Sequence, residues 1–136
     1  DAPARSVALP SGAHLDFGGI GKGYALDAAA AVLRERGVSS ALMNFGGQVY
    51  ALGPWTVEAA GEIIELRDAS LSTSSNAEQP GHIVDPASGL PVRRSGSASV
   101  ILPSAAEADA WSTALFVSGR LTPPQQAEGR SSRRIQ

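Results

Sequence analysis

The segment from Leu15 to Gly37 constrains the fold of this chain most, because four glycines separate a short strand-like stretch from a helical pattern. The stretch Leu15–Phe17 predicts the end of a strand, and the glycines after it allow a sharp turn. From about Gly21 the apolar residues recur at helical spacing, and Gly37 predicts a left-handed C-terminal cap. The recurring apolar residues are Ala25, Ala28, Ala29, Val32 and Leu33.

A strand that enters a helix through a glycine-rich turn exposes free backbone N–H groups at the positive end of the helix dipole. Such a turn is typical of an anion site, most often for phosphate. Lys22, the only lysine of the chain, stands at its mouth. The spacing of GGIGKG matches neither a P-loop nor a dinucleotide-binding fingerprint. The glycines alone are equally compatible with a tight connection that binds nothing.

A second helix is predicted from the capping box of Ser104 and Glu107 to the stop signal at Gly119. Nearly all residues between these limits are apolar, so we expect this helix to be buried. It nevertheless contains Asp109 and Thr113, four residues apart on one side. A carboxylate is costly to bury without a partner. Asp109 therefore either gains from the helix N-terminus or faces a cation, and the periodicity leaves both interpretations open.

The rest of the chain is predicted to form short strands. We expect an edge strand at 7–9, strands at 40–44 and 48–52, a hairpin of 55–58 with 62–66, an extended segment at 70–75, and strands at 81–84 and 98–102. Gly53–Pro54 is expected to break the strand before it.

Two polar clusters are candidates for chemistry. Thr73 and Ser74 offer hydroxyl groups at a strand end, although, taken alone, a plain polar turn explains them better. His82 stands three residues before Asp85, and imidazole is the side chain best suited to proton transfer near neutral pH. A single histidine is more often structural than catalytic, and we interpret His14 as structural.

Composition excludes several kinds of site. The chain has no cysteine, which excludes disulfides, thiolate ligands and cysteine nucleophiles. Two distant histidines make zinc a poor candidate, whereas a hard cation such as Mg²⁺ suits Asp109 and Thr113. Four of the 11 basic residues follow Gly119, which leaves an acidic body and argues against nucleic acid as a partner. No apolar run approaches the roughly 18 to 20 residues that span a bilayer.

Five motifs occur in the order and spacing of the ApbE family, the FAD:protein FMN transferases, which the chain resembles from about Leu9 to Gly119. The motifs are DFGGIGKGYALD (16–27), NFGG (44–47), STSS (72–75), HIVDPASG (82–89) and ADAWSTAL (108–115). The resemblance implies an α+β fold, namely an ApbE-like (T-fold-like) antiparallel sheet packed with two main helices.

The resemblance also implies an activity, which is the Mg²⁺-dependent transfer of FMN from FAD to a threonine of a target flavoprotein, with release of AMP. On this basis the metal ligands would be Asp109, Thr113 and the backbone carbonyl of Gly21, and the catalytic residue would be His82. The predicted FAD-binding residues are Gly18, Gly19, Gly21, Lys22, Gly23, Thr73 and Ser74.

The chain departs from the family pattern at several positions. The family's long N-terminal region has no counterpart before the glycine-rich turn, Gln48 replaces a usual acidic residue, and Ala87 replaces a usual arginine. We therefore expect residues 1–119 to form an ApbE-like catalytic domain without that N-terminal region, followed by a disordered polar tail at 120–136.

These departures keep two alternative functions open. One is a flavin-binding remnant that does not turn over, and the other is an FAD pyrophosphatase that gives FMN and AMP. The habit of the family implies a periplasmic or membrane-associated extracytoplasmic location. We expect FAD and a threonine-bearing flavoprotein as partners, and no transmembrane segment in this chain.

Overall fold

The computed structural model describes residues 4–59, 61–77, 79–119 and 134–135. Within these residues the elements are α1 (Gly21–Glu35), β1 (Ala41–Phe45), β2 (Gln48–Ala59), β3 (Glu62–Ser75), β4 (Ser97–Leu102), α2 (Ala105–Ser118) and β5 (Arg134–Ile135). The strands form one antiparallel sheet in the order β1-β2-β3-β4-β5. The predicted α+β fold, with an antiparallel sheet and two main helices, is confirmed.

Both helices cover the same face of the sheet, because alternate residues of the strands point toward them. Tyr50 and Leu52 of β2 pack with Leu26 and Ala30 of α1. The second half of this layer is apolar as well, where β4 meets α2. It contains Ala98, Val100, Leu102, Ala108, Leu115 and Phe116. This helix-facing layer is the main core, and α1 and α2 also pack against each other.

A separate apolar cluster joins the sheet to the outer half of the β2–β3 hairpin. Asp68 has a positive φ of 48° and lies opposite a bulge in β2. This conformation interrupts the alternation of β3, so that Ile64 and Leu66 join Leu71 in one cluster with Ala51 and others. The bulge also explains why Gly53–Pro54 does not end β2, contrary to prediction. Gly53 N donates instead to Asp68 Oδ1 at 3.1 Å.

Arg34 fastens the C-terminal end of α1 to the sheet. Its Nη2 donates to Tyr50 Oη at 2.8 Å, and its guanidinium lies 5.7 Å from the centre of the Tyr50 ring. The hydrogen bond to Tyr50 is the main cause of a raised pKa of Arg34, to which the nearby Asp68 also contributes. The arginine therefore stays charged across the whole working pH range.

The predicted helix ends are confirmed. Ser104 Oγ accepts from Glu107 N at 3.2 Å, and Gly119 ends α2 with a φ of 71° and a hydrogen bond from its N to Leu115 O. Gly37 has a φ of 79° just beyond α1. These signals are reliable because capping is settled within one turn of chain.

Three of the predicted strands are wrong. Residues 7–9 and 15–17 are in exposed, irregular chain, and residues 81–84 contribute only the isolated bridge of Val84 with Pro91. A strand requires a neighbour that takes up its main-chain hydrogen bonds. Within the described residues no sheet strand lies beside these segments, so their local preference for extended chain is not sufficient.

The predicted disordered tail lies largely outside the described residues, which include only 134–135 of it. Those two residues form β5, which pairs with Ser99–Val100 and was not predicted. A two-residue pairing uses main-chain groups alone and leaves no periodic pattern in a sequence. The domain limits at 119 and 120 stay a prediction. Among the described residues, neither helix has the length and apolar character needed to cross a membrane.

Candidate functional site

The candidate site lies where the start of α1 meets the first half of α2. Asp109 is only 2% exposed. Its Oδ1 lies 3.2 Å from Lys22 Nζ, and its Oδ2 accepts from Gly23 N at 3.1 Å. Asp109 therefore faces both a cation and a helix N-terminus, but the helix is α1 and not its own. The glycine-rich turn and the A-D-A-x-x-T motif, separated by about 86 residues, meet at this carboxylate.

Gly23 makes this meeting possible because the backbones of the two helices touch there. A Cβ on Gly23 would lie 2.6 Å from Ala106 Cα and closer still to the Ala105 carbonyl oxygen. Only glycine allows such an approach without displacing one of the helices.

Replacing Gly23 with alanine should therefore lower the free energy of unfolding by about 3 kcal/mol or more, at the upper end of overpacking effects. Urea denaturation followed by circular dichroism measures this loss. Gly21→Ala is the matched control, because a Cβ there meets only Phe17 Cβ at 3.4 Å. Equal unfolding midpoints for the two variants would contradict the close helix contact.

Asp27 clamps the start of α2 from the side of α1, and the sequence analysis did not identify it. Its carboxylate accepts from Ser104 Oγ at 2.9 Å, from Ala105 N at 2.8 Å and from Ala106 N at 3.0 Å. The carboxylate thus caps a helix other than its own and favours the positive end of that helix dipole. The only available signal was one acidic residue within the alanine-rich stretch of α1.

The NFGG turn completes one side of the site. A Cβ on Gly46 would lie 3.3 Å from Lys22 Cδ, so the turn adjoins the lysine stem. Gln48 follows the turn and is buried, and its Nε2 donates to Ser70 Oγ at 3.1 Å and to Ala105 O at 2.7 Å. An ionised acidic side chain could not donate these bonds. The amide at this position therefore ties β2 and β3 to the start of α2.

Thr113 lies one helical turn after Asp109 and contacts the hydroxyl-rich end of β3. Its Oγ1 lies 3.1 Å from Ser74 Oγ and donates to the Asp109 carbonyl at 3.2 Å. A Cβ on Gly19 would lie 3.6 Å from the same oxygen. The structure therefore brings Gly19, Lys22, Gly23, Ser74, Asp109 and Thr113 together.

The other predicted residues differ in their placement. Gly18 is at the exposed entrance, where its carbonyl accepts from Lys22 Nζ at 3.4 Å, and Gly21 is the first residue of α1. Thr73 points to the opposite face of β3 and hydrogen-bonds Ser99 at 2.8 Å. Because neighbouring strand residues alternate between faces, Thr73 and Ser74 cannot both face α2. The structure does not bring Thr73 to the site.

His82 lies in the connection between β3 and β4, beside the buried Ile83 that packs with α2. Its side chain is exposed, and its Nδ1 hydrogen-bonds the Gln79 carbonyl. A carbonyl can only accept, so Nδ1 carries the proton and Nε2 is left with a free lone pair. Within the described residues, His82 makes no hydrogen bond to Lys22, Asp109 or Thr113.

The chemistry of the donor set fits Mg²⁺ better than a softer metal. Asp109 offers a buried carboxylate and Thr113 a hydroxyl on the same helix face, and hard cations prefer oxygen ligands. Among the described residues no group of three histidine, cysteine or acidic side chains is arranged to hold a metal. A metal here would therefore use hydroxyl and backbone oxygens beside Asp109, the kind of donor set that was predicted.

Comparison with known sequences identifies relatives of one kind. The profile of the ApbE family matches residues 3–133. A FAD:protein FMN transferase of Klebsiella pneumoniae (strain 342) is 36% identical over 123 residues, which cover 77% of this chain and 39% of the relative. The FAD:protein FMN transferase of Escherichia coli (strain K12) is 30% identical over 130 residues, which cover 78% and 37%. The chain thus spans about two-fifths of the length of these relatives.

Solved structures give the same result. The apo form of the flavinyl transferase ApbE of Pseudomonas stutzeri superposes with a TM-score of 0.69 at 35% identity, over 76% of this chain and 38% of that one. The ApbE protein of Thermotoga maritima superposes with a TM-score of 0.71 at 32% identity, over 79% and 42%. The fold described above is therefore similar to part of these proteins.

Proposed function

The chain belongs to the ApbE family, and from this we propose that it carries the metal- and phosphate-binding part of a flavin transferase. The proposed reaction moves FMN from FAD to a threonine hydroxyl of a target flavoprotein and releases AMP. Relatives of this chain are named FAD:protein FMN transferases, which supports the substrate and the class of reaction. The threonine acceptor, the release of AMP and the use of Mg²⁺ are proposals for this chain.

The observation that carries the proposal is the contact of the glycine-rich turn with Asp109. Gly23 N donates to the carboxylate, and Lys22 Nζ lies 3.2 Å from it. A helix N-terminus and a lysine attract anionic phosphate, whereas a buried carboxylate repels it. The two are compatible in one phosphate-transfer site when a divalent cation lies between carboxylate and phosphate.

Asp109, Thr113 and the Gly21 carbonyl would hold Mg²⁺, and Lys22 with the turn from Gly18 to Gly23 would hold the FAD pyrophosphate. The metal, when bound, supplies Lewis-acid stabilisation of the charge that develops on the phosphate oxygens. The residues of the turn contribute amide and ammonium donors already fixed in position by the helix contact. Preorganised donors of this kind need no rearrangement as the charge develops.

His82 is proposed to take the proton of the attacking threonine. Its Nδ1 is engaged with the Gln79 carbonyl, so Nε2 is the nitrogen that can accept a proton. Its exposed position suits a group that must meet a hydroxyl on another protein. The extracytoplasmic location implied by family habit is likewise a proposal.

A transfer assay tests the proposed function. The purified protein is incubated with FAD, Mg²⁺ and an acceptor flavoprotein with a threonine-bearing flavinylation site. Flavin covalently bound to the acceptor is measured together with AMP. We expect equal amounts of both products, and we expect both to disappear when EDTA removes the metal and to return when Mg²⁺ is added in excess.

The same assay distinguishes the alternatives, which the comparisons do not favour. Release of AMP and free FMN without labelled acceptor would indicate an FAD pyrophosphatase. Bound FAD with no product, at every acceptor concentration, would indicate a flavin-binding remnant. Either result would contradict the proposed transfer.

A further inference from the structure

Four hydroxyl groups form a connected network between β3 and α2. Ser112 Oγ is central, at 3.1 Å from Ser72 Oγ and 2.9 Å from Ser74 Oγ. Ser74 Oγ in turn lies 3.1 Å from Thr113 Oγ1. The Asp109 carbonyl accepts at one end, from Ser112 at 2.9 Å and from Thr113 at 3.2 Å. Ser72 and Ser112 are completely buried, so their hydroxyls depend on these protein partners.

The number of protons restricts the direction of these hydrogen bonds. Each hydroxyl has one proton, so the four groups supply four protons for five contacts. The Asp109 carbonyl can only accept, and the short bond to it takes the proton of Ser112. Ser112 Oγ then accepts from both Ser72 and Ser74. Because the proton of Ser74 is used in this way, Ser74 Oγ can only accept from Thr113.

We propose that Ser74 and Ser112 are positioning residues that orient the Thr113 hydroxyl for Mg²⁺. This inference rests on the proposed function, since it takes Thr113 as a metal ligand. When Thr113 donates to Ser74, both lone pairs of its oxygen are available to a cation. The successive hydrogen bonds also polarise one another and make that oxygen a better ligand. Ser74, predicted from the sequence to bind FAD, acts here through Thr113.

The replacement of Ser112 by alanine tests this orientation. Without Ser112 Oγ, the proton of Ser74 has only Thr113 Oγ1 to bond, and it occupies one of the lone pairs meant for the cation. We expect Mg²⁺ affinity to fall about 3- to 10-fold, the effect of one hydrogen bond. The measurement is calorimetric titration of the protein with Mg²⁺ alone, in the absence of FAD and acceptor.

Ser72→Ala is the matched control. It removes a buried hydroxyl that bonds the same acceptor, but it leaves the series from Thr113 through Ser74 to Ser112 intact. We expect its Mg²⁺ affinity to equal that of the wild type. If Ser112→Ala and Ser72→Ala bind Mg²⁺ with the same affinity, the inference is wrong.

A double variant separates orientation from stability. Ser112→Ala alone leaves the buried Ser72 without a partner, whereas Ser72→Ala/Ser112→Ala does not. We expect the double variant to recover stability in urea while its Mg²⁺ affinity stays low. Recovery of wild-type affinity together with stability would overturn the inference.

Asp109→Asn separates this inference from the proposed function. If Asp109→Asn binds Mg²⁺ like the wild type, the metal site itself is wrong and both proposals fail. If Asp109→Asn loses Mg²⁺ while Ser112→Ala keeps it, only the role of Ser74 and Ser112 fails.

Discussion

Replacement of Asp109 by asparagine should reduce Mg²⁺ affinity more than about 100-fold, because changes to groups behind a metal ligand alone cost about 10- to 100-fold. Asparagine keeps the size of the side chain and an oxygen that can accept from Gly23 N, which lies 3.1 Å from the present carboxylate. The variant therefore removes the charge and preserves the shape. Calorimetric titration with Mg²⁺ measures the affinity, and the transfer assay should show a parallel loss of AMP release.

The fold should tolerate this change. The Lys22 side chain is 36% exposed, so its ammonium group can turn to water when the carboxylate is lost. We therefore expect a small change in the urea midpoint of Asp109→Asn, in contrast to the usual cost of breaking a fully buried ion pair. A large loss of stability with unchanged Mg²⁺ affinity would show that Asp109 serves only as the partner of Lys22.

Asp27→Asn is the matched control for charge. Asp27 is also an interhelical carboxylate near this junction, but its oxygens bond Ser104 and the first amides of α2. Its replacement should lower stability by about 1 kcal/mol, as expected for a helix cap, and should leave most of the Mg²⁺ affinity. The opposite pattern in the two variants would exchange the roles that we give to these carboxylates.

The second large effect is expected for His82→Ala, which should slow flavin transfer about 10²- to 10⁴-fold, the usual contribution of a general base. Mg²⁺ and FAD binding should be unchanged, because His82 makes no contact with Lys22, Asp109 or Thr113 among the described hydrogen bonds. Covalent flavin on the acceptor is measured in single-turnover experiments, in which product release cannot mask the chemical step.

His14→Ala is the control for this experiment, since His14 is the other histidine of the chain and is exposed. We expect it to transfer flavin at the wild-type rate. Transfer that survives in His82→Ala would retain the flavin transferase and exclude His82 as the base. A variant that also unfolds earlier in urea would point to a structural role of the loop that contains His82.

The sequence alone determined the parts of this protein that depend on neighbouring residues. The periodicity and the caps gave both helices, including the capping box of Ser104 and the stop at Gly119. The hairpin and the strand at 98–102 followed from alternation and turn residues. The motifs also gave the family, because their order and spacing are linear properties of a chain. Each of these signals is complete within a few residues, or is read along the chain without knowledge of its path.

Only the tertiary structure decided how those parts meet. The sequence left open whether Asp109 faces a cation or a helix N-terminus, and it faces both because α1 starts beside it. Asp27 gave no sign of its partners in α2, 77 to 79 residues away. Thr73 and Ser74 look equivalent in the sequence, yet the sheet turns only Ser74 toward α2. Residues 7–9 have the local preference of a strand, but no neighbouring strand. Side-chain contacts between distant segments depend on how helices and sheet pack, and that packing is set by the whole chain at once.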